Sequence, residues 1–597
     1  MINVSNAKAA DSGEPHQAAN SASGWRRSVL PAVCILAGCC LLFITLEVSS
    51  QRTKSVTVDE FGHLAVGLNL LTTGDMRYAS LNPPLMNALS ALPLHLAGAR
   101  VTPPPELSPA LRQNFWANGY AFMNQRRDTY HDDFVRARYV TIGIVALLGL
   151  VVFAWGRLLA PACPNTAGLL AANLVWFSPE VLAHGQLVTT DAGLAAFMVF
   201  ALFTLYLFLR RASWPRALAT GVTLGLAQLV KFSAIFLFPA HAILLLVIVW
   251  REPQLRTRRF LLQAVAVFVV AGFVINAGYG FAQSGRPAGA LAFKSRPFQA
   301  LAQSWAGRLP IPLPAQFLIA FDQQSADALE IEHSFLFGRF YEGGRWYYFL
   351  ALLAIKTPLP VLVLTALALF CALRKRGLPR RDTLLLLLPG ALVFVALSAF
   401  SQKQIGLRMI LPSLVLGLVW AAATLARAGR SPALRSAIGV LLVWLAVDLA
   451  RVHPDYLAYF NQFVGGPANG YRFAGDSNLD WGQDLPALRD YMQQQKLERI
   501  QLLYYGRVDP AVYGIDYSVP FQSLEPGCLA ISRSLYSFGY HLNDHGAIRW
   551  GGPFEVPAIP GFRRVATLGH TIDIYRISSP QGMLTAPLSS GVLKPSP

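Results

Sequence analysis

Eleven apolar stretches, each near the length a helix needs to cross a bilayer, constrain this chain more than any other feature. They lie at roughly 28–48, 139–159, 167–183, 191–209, 216–231, 233–250, 260–281, 347–373, 383–400, 409–426 and 436–451. A helix rises about 1.5 Å per residue, so about twenty apolar residues cover the ~30 Å hydrocarbon core. Only 14% of the 597 residues are charged, against roughly 25% in a soluble domain. The expected fold is therefore a polytopic α-helical membrane protein of about eleven transmembrane helices. The stretches 167–183 and 216–231 are short for a membrane crossing.

The net charge of +18 would suit a nucleic-acid partner, but its distribution excludes one. Basic residues collect in alternate loops: Arg26 and Arg27, Arg157, Arg210 to Arg216, Arg251 to Arg259, Arg374 to Arg381, and Arg427 to Arg435. The short loops between them hold few, none in 184–190 and only Lys403 and Arg408 in 401–408. This asymmetry is the positive-inside pattern. It puts the N-terminus in the cytoplasm and everything after about residue 452 outside an inner (plasma) membrane. Four of the six cysteines lie in or beside apolar spans and Cys163 in a cytoplasmic loop. Cys528 alone falls outside, so the external part has no internal disulfide to form.

Residues 1–27 are expected as a disordered cytoplasmic tail, 28–451 as the membrane domain with external loops 49–138 and 282–346, and 452–597 as an external domain. Within the loops, PLMNALSALPLHLAGA (84–99), LAQSWAG (301–307) and PAQFLIAF (314–321) are apolar but too short to span, as interfacial or re-entrant helices are. After residue 452 the long apolar runs stop. LPALRDYMQQQ (485–495) predicts a helix, IQLLYY (500–505) and CLAISR (528–533) predict strands, and RVATLGH with TIDIYRI (564–577) predicts a hairpin. A small α/β domain accounts for these.

Once the topology is drawn, the ionisable residues beside the spans fall on the outer side. Asp59, Glu60 and His63 follow the first span in TVDEFGH (57–63). His184 and Asp191 bracket the loop between the third and fourth, Lys231 ends the fifth in LAQLVKFS, and Arg408 opens the tenth in IGLRMILP. Charges near membrane helices are costly and point to function by default. Each also has a plainer role open to it. Thr57 and Glu60 have the spacing of a capping box, and Asp191 can cap its helix. Lys231 and Arg408 can snorkel to the interface. His63 and His184 can be interfacial hydrogen-bonders, and no HxxxH or HExxH spacing marks a metal site. The stretch Ser477 to Asp484 either builds turns and caps the helix from Pro486, or presents Trp481 and Gln483 to an acceptor.

VDEFGHLAVGLNLLTTGDMRYASLNPPL (58–85) resembles the first external loop of the polyprenyl-phosphate-sugar-dependent membrane glycosyltransferases, the family of protein O-mannosyltransferases and of the lipid A aminoarabinose transferase. Shared features are the acidic pair, a small-residue helix, the Gly74-Asp75 turn and Pro83-Pro84-Leu85. The second acid in LVTTDAG, the lysine in LVKFS and the arginine in LRMILP are similar to later family features. Where some members carry a basic residue before Pro-Pro, this chain has Asn82.

The resemblance implies a sugar donor on a polyprenyl phosphate and a lipid, glycan or protein acceptor, met at the outer face of the membrane. Asp59 would be the general base of a direct, inverting displacement. Asp191 and Glu60 would assist it, and Lys231 and Arg408, with His184, His63 and Asn82 nearby, would bind substrate. No cofactor is required; the acid pair with His63 leaves room for weak divalent-metal binding. The rival class is a secondary transporter with Asp59 and Asp191 as coupling acids, but transport sites lie near the midplane and these groups lie at the outer interface. A structural scaffold leaves the converging charges unexplained.

Overall fold

The computed structural model describes residues 14–102, 113–429, 431–520, 525–537, 540–542, 548–550 and 562–578. Helix α1 (Glu14–Arg52) is helical from within the segment expected as a tail; residues 1–13 lie outside the described residues. The first long loop, expected over 49–138, folds as α2 (Glu60–Thr73), α3 (Pro84–Leu96) and α4 (Phe115–Gln125). The membrane bundle continues with α5 (Tyr130–Leu159), α6 (Pro164–Trp176), α7 (Pro179–Gly185), α8 (Asp191–Arg210), α9 (Trp214–Gln228), α10 (Leu237–Arg251) and α11 (Arg258–Gly278). The second loop holds α12 (Arg296–Gln303), α13 (Ala315–Asp327) and the hairpin β1–β2 (His333–Leu336, Arg339–Glu342). Helices α14 (Tyr348–Lys356), α15 (Leu359–Leu373), α16 (Arg380–Phe400), α17 (Leu411–Ala428) and α18 (Pro432–Val452) complete the bundle.

Among the described residues, eight helices are long and apolar enough to span, or ten if each of two bent pairs counts once, against the eleven expected. Three of the expected spans account for the difference. The stretch 167–183 is α6 and α7 bent by 61°, and 347–373 is α14 and α15 bent by 113°. Both breaks sit before a proline. Ser178 precedes Pro179 with ψ 127°, and Thr357 precedes Pro358 with ψ 133°; the proline ring denies the preceding residue the helical region. At 113° the crossing cannot be shared, so 347–373 is not one straight span. The third is α9, whose 15 residues cover only about 22 Å. It still retraces the depth of α8: α8 starts at Asp191, and the turn after α9 ends at Lys231, whose Nζ lies 2.6 Å from Asp191 Oδ1.

The bundle core is built on α5, α6, α8 and α17, with Trp155 and Trp176 among its largest fully buried side chains. Beyond it, α19 (Leu485–Gln494) precedes a five-stranded mixed sheet in the order β4-β3-β5-β9-β8. Here β3 (Ile500–Leu503) runs parallel to β4 (Tyr517–Ser518) and to β5 (Gly527–Ser532). A separate pair, β6 (Tyr540–Leu542) and β7 (Ile548–Trp550), is antiparallel, and the hairpin expected over 564–577 is present, with β8 (Phe562–Leu568) antiparallel to β9 (Ile572–Ile577). One face of the five-stranded sheet has its own apolar cluster, with Leu503, Leu529, Ile531 and Tyr575, and the other shares a core with the first loop. Phe61, Leu64, Phe122 and Phe134 pack in one cluster with Leu485, Ile500, Leu502 and Ile574.

Polar contacts hold the residues between α1 and α2 on two sides. Lys54 Nζ bonds both Asp455 and, at 2.6 Å, Asp484. Buried Arg138, on α5, donates to the carbonyls of Gln51, Lys54 and Ser55. A guanidinium satisfied by this many acceptors can be held in the interior, where an unpaired one could not.

Candidate active site

The start of α2 divides its acidic pair between two jobs. Glu60 is fully buried and faces Arg138, with Nε to Oε1 at 2.8 Å and Nη2 to Oε2 at 2.6 Å. It also accepts the Val188 and Thr57 N–H groups and the Thr57 hydroxyl. Burial raises its pKa, but Arg138 and these donors outweigh burial and hold the carboxyl below its ordinary value. Glu60 thus closes back on Thr57 as a capping box predicts and lies in a structural ion pair. Asp59, at the cap position, makes no capping bond with its side chain. Its carboxylate is 27% exposed, with Oδ2 2.9 Å from Arg408 Nη1.

Arg408 sits in the single 3₁₀ turn that leads into α17. Its Nη1 also reaches Asp191 Oδ2 at 3.0 Å, so one nitrogen bridges both acids. Asp191 is the first residue of α8, where the unsatisfied N–H groups favour an anion. Its other oxygen takes Lys231. The chain Asp59–Arg408–Asp191–Lys231 therefore draws on four elements far apart in sequence. Arg408 Nε donates to Ser477 Oγ at 2.9 Å, and the guanidinium lies 4.2 Å from the centroid of the Trp481 ring. Nη2 has no hydrogen bond to a described residue.

Lys231 opens onto a cavity of about 420 Å³. Asn82 lines it too, and the remaining wall is largely apolar: Phe232, Phe236, Phe321, Leu397 and Phe400. The cavity thus has a charged end and an aromatic body. Its shape follows from the loop before it. Gly74, at φ 69°, ends α2 in the left-handed conformation that glycine adopts freely. Asp75 then caps the next turn through the Arg77 N–H, and the chain returns through Asn82 to α3.

The histidines stand back from this chain of ion pairs. His63 is buried, with Nδ1 2.9 Å from Asn87 Oδ1 and its ring edge-on to Phe115. Burial pulls its pKa down, so the ring is a neutral hydrogen-bonder. His184 is fully buried on α7, its Nε2 3.7 Å from Glu180 and its ring 6.2 Å from Trp481. Trp481 and Gln483, the pair that could have met an acceptor, are both buried. Trp481 is 1% exposed, and Gln483 is spent on the Trp481 N–H and the Leu479 carbonyl.

Sequence reasoning missed Ser477 and Asp476. Asp476 is buried at φ 55°, accepts the Tyr505 hydroxyl at 2.9 Å and has its pKa pushed up to about 6, chiefly by burial. The only sequence signal was the density of Asp, Ser and Asn in GDSNLDWGQD, which turn-building also explains.

Residues 131–276 match the family model of dolichyl-phosphate-mannose-protein mannosyltransferase. That stretch contains His184, Asp191 and Lys231. No curated protein matches the chain. Solved structures with a similar chain course include ArnT from Cupriavidus metallidurans bound to undecaprenyl phosphate, at 13% identity and TM-score 0.41, covering 93% of this chain and 100% of that one. The Archaeoglobus fulgidus oligosaccharyltransferase follows at 14% and 0.44, covering 89% and 75%. The arabinofuranosyltransferase AftD from Mycobacteria is at 15% and 0.37, covering 91% and 40%. Over residues 131–276 the chain is thus similar to the dolichyl-phosphate-mannose-protein mannosyltransferases, and the first-loop motif lies upstream of that match.

Proposed function

We propose that the protein transfers a sugar from a polyprenyl-phosphate donor to an acceptor on the outer face of the membrane, by direct displacement with Asp59 as general base. The observation that carries this reading is the division of labour among the four linked charges. Asp191 is buried and saturated by two cations. Asp59 shares only one of them, through one oxygen, and keeps Oδ1 free of hydrogen bonds to described residues. Oδ1 is thus the atom able to take the proton of an attacking hydroxyl or amine.

The leaving group is a phosphate ester whose negative charge grows as the glycosidic bond breaks, so cations must stand beside it. Lys231 is 26% exposed and lines the cavity. It is placed to meet a phosphate at the charged end while a prenyl chain lies along the aromatic wall. Arg408 supplies the second charge through Nη2. Displacement on the face opposite the phosphate inverts the anomeric centre. Glu60, His63 and His184 take no part in bond making on this reading; they hold the frame.

The test is transfer from a radiolabelled polyprenyl-phosphate sugar by the purified protein in lipid nanodiscs. Asp59→Asn should lower turnover by at least about a hundredfold, the usual contribution of a positioned base. It should leave polyprenyl-phosphate binding near wild type, because the base acts in the transition state. Turnover of Asp59→Asn near the wild-type rate would sink the assignment.

A further inference from the structure

The segment Ser477–Gln483 belongs to the external part of the chain, yet it touches both halves of the ion-pair chain at the residues that precede them. On one side, the Ser55 N–H donates to the Gln483 carbonyl at 2.8 Å and the Val58 N–H to the Trp481 carbonyl at 3.1 Å. The Ser55 hydroxyl donates to the Gly482 carbonyl at 2.7 Å. These bonds fix the backbone up to the residue before Asp59. On the other side, Asn478 Oδ1 accepts the Leu407 N–H at 3.0 Å. Ser477 Oγ donates to the Ile405 carbonyl at 2.8 Å and accepts from Arg408 Nε.

The approach on that second side is close. A Cβ on Gly406 would lie 2.2 Å from Ser477 Oγ, so glycine is what allows the contact. The segment is itself anchored. Lys356 Nζ donates to the Asn478 carbonyl at 2.6 Å, and Ser534 Oγ to the Asp480 carbonyl at 2.6 Å. Such a segment works as a jig between two parts of a site.

We propose that Ser477 and Trp481 are positioning residues that orient the Arg408 guanidinium against Asp59, so that the external C-terminal part of the chain completes the active site. This rests on the glycosyl-transfer reading above. A guanidinium is planar and makes hydrogen bonds only in its own plane. Ser477 fixes one edge through Nε and Trp481 fixes the face by cation–π contact. With edge and face both set, Nη1 must point at the two carboxylates and Nη2 is left for the donor phosphate. Without them the long side chain has other rotamers, and the two acids lose their common cation.

The experiment is a double-mutant cycle in nanodiscs, reading turnover and polyprenyl-phosphate binding in parallel, with thermal melting to confirm folding. Ser477→Ala should lower kcat about tenfold or more, the effect of losing a hydrogen bond to a charged group, and change KM for the donor less. Lysine has no counterpart of Nε, so adding Ser477→Ala to Arg408→Lys should cost almost nothing further. Trp481→Phe, which keeps an aromatic face, should retain several times the turnover of Trp481→Leu. If Ser477→Ala costs as much in the Arg408→Lys background as alone, or has wild-type kinetics, the positioning role is overturned. A wild-type protein that transfers no sugar overturns the glycosyl-transfer reading instead. The cycle on polyprenyl-phosphate binding then decides the positioning role by the same non-additivity.

Discussion

Asp59 and Glu60 are neighbours of like charge whose environments send them to opposite tasks. Glu60 has no exposed surface and its oxygens are spent on Arg138, Thr57 and Val188. Removing one partner of a buried ion pair strands the other charge, at a cost of about 3–5 kcal/mol. Glu60→Gln should therefore appear as a lower melting temperature and poorer yield, while turnover per folded molecule changes little. A folded, stable Glu60→Gln protein with lost turnover would return Glu60 to the chemistry. Asp480 gives a residue-scale test by pH. Burial pushes its carboxyl up to about 7, although the Gly482 and Ser534 N–H groups bond it. The folded protein then binds this proton more tightly than the unfolded chain, whose Asp titrates near ~3.9. Its contribution is complete below about pH 4 and is lost as pH rises toward 7. Melting curves of wild type and Asp480→Asn between pH 4 and 8 should differ in slope, with the wild type losing more stability on the way up. Parallel slopes would show that Asp480 does not titrate there.

At the scale of elements, two close approaches set the first loop. A Cβ on Gly67 of α2 would lie 2.0 Å from the Asn87 carbonyl oxygen of α3, and one on Gly62 would lie 2.3 Å from the Phe115 ring of α4. Backbone cannot move aside as a flexible side chain can, so Gly67→Ala should force the two helices apart. Overpacking of this kind typically costs about 1–3 kcal/mol. Because α3 follows directly on the Asn82 that lines the cavity, donor affinity should fall along with the melting temperature. Unchanged stability in Gly67→Ala would mean that α2 and α3 do not pack as described. The two helix breaks are of a different kind. Each was written in the sequence as Ser178-Pro179 and Thr357-Pro358, but hydropathy averaged over twenty residues runs straight through both.

For the whole molecule, the basic loops and the site lie at opposite ends of the bundle, since α8 runs from Asp191 to Arg210. In a chain freed of its native cysteines, a cysteine at Arg376 should resist an impermeant thiol reagent in intact cells. One at Asp490, 54% exposed beyond the bundle, should react. The reverse pattern would invert the side assigned to every site residue. The seam between the first loop and the C-terminal sheet is part of the same picture. It shares one apolar cluster and carries the Lys54 clamp, so the first loop and the sheet should unfold together.

The sequence by itself determined what depends on local composition and short spacing. The apolar runs, their basic flanks, the α19 helix, the β8–β9 hairpin and the acidic pair at the start of α2 all follow from residues within about twenty positions of one another. The candidate acids and cations were legible too, because a charge beside a membrane helix is conspicuous against so apolar a chain. Only the tertiary structure decided which of them meet. Asp59 and Arg408 are 349 positions apart, and Arg408 and Ser477 are 69; no periodicity encodes such pairings. It also separated Glu60 from Asp59, because burial belongs to the packed surroundings and not to the residue. The contacts of Ser477 and Trp481 with Arg408 were hidden for the same reason: turn-forming residues read alike whether they build a turn or meet an arginine.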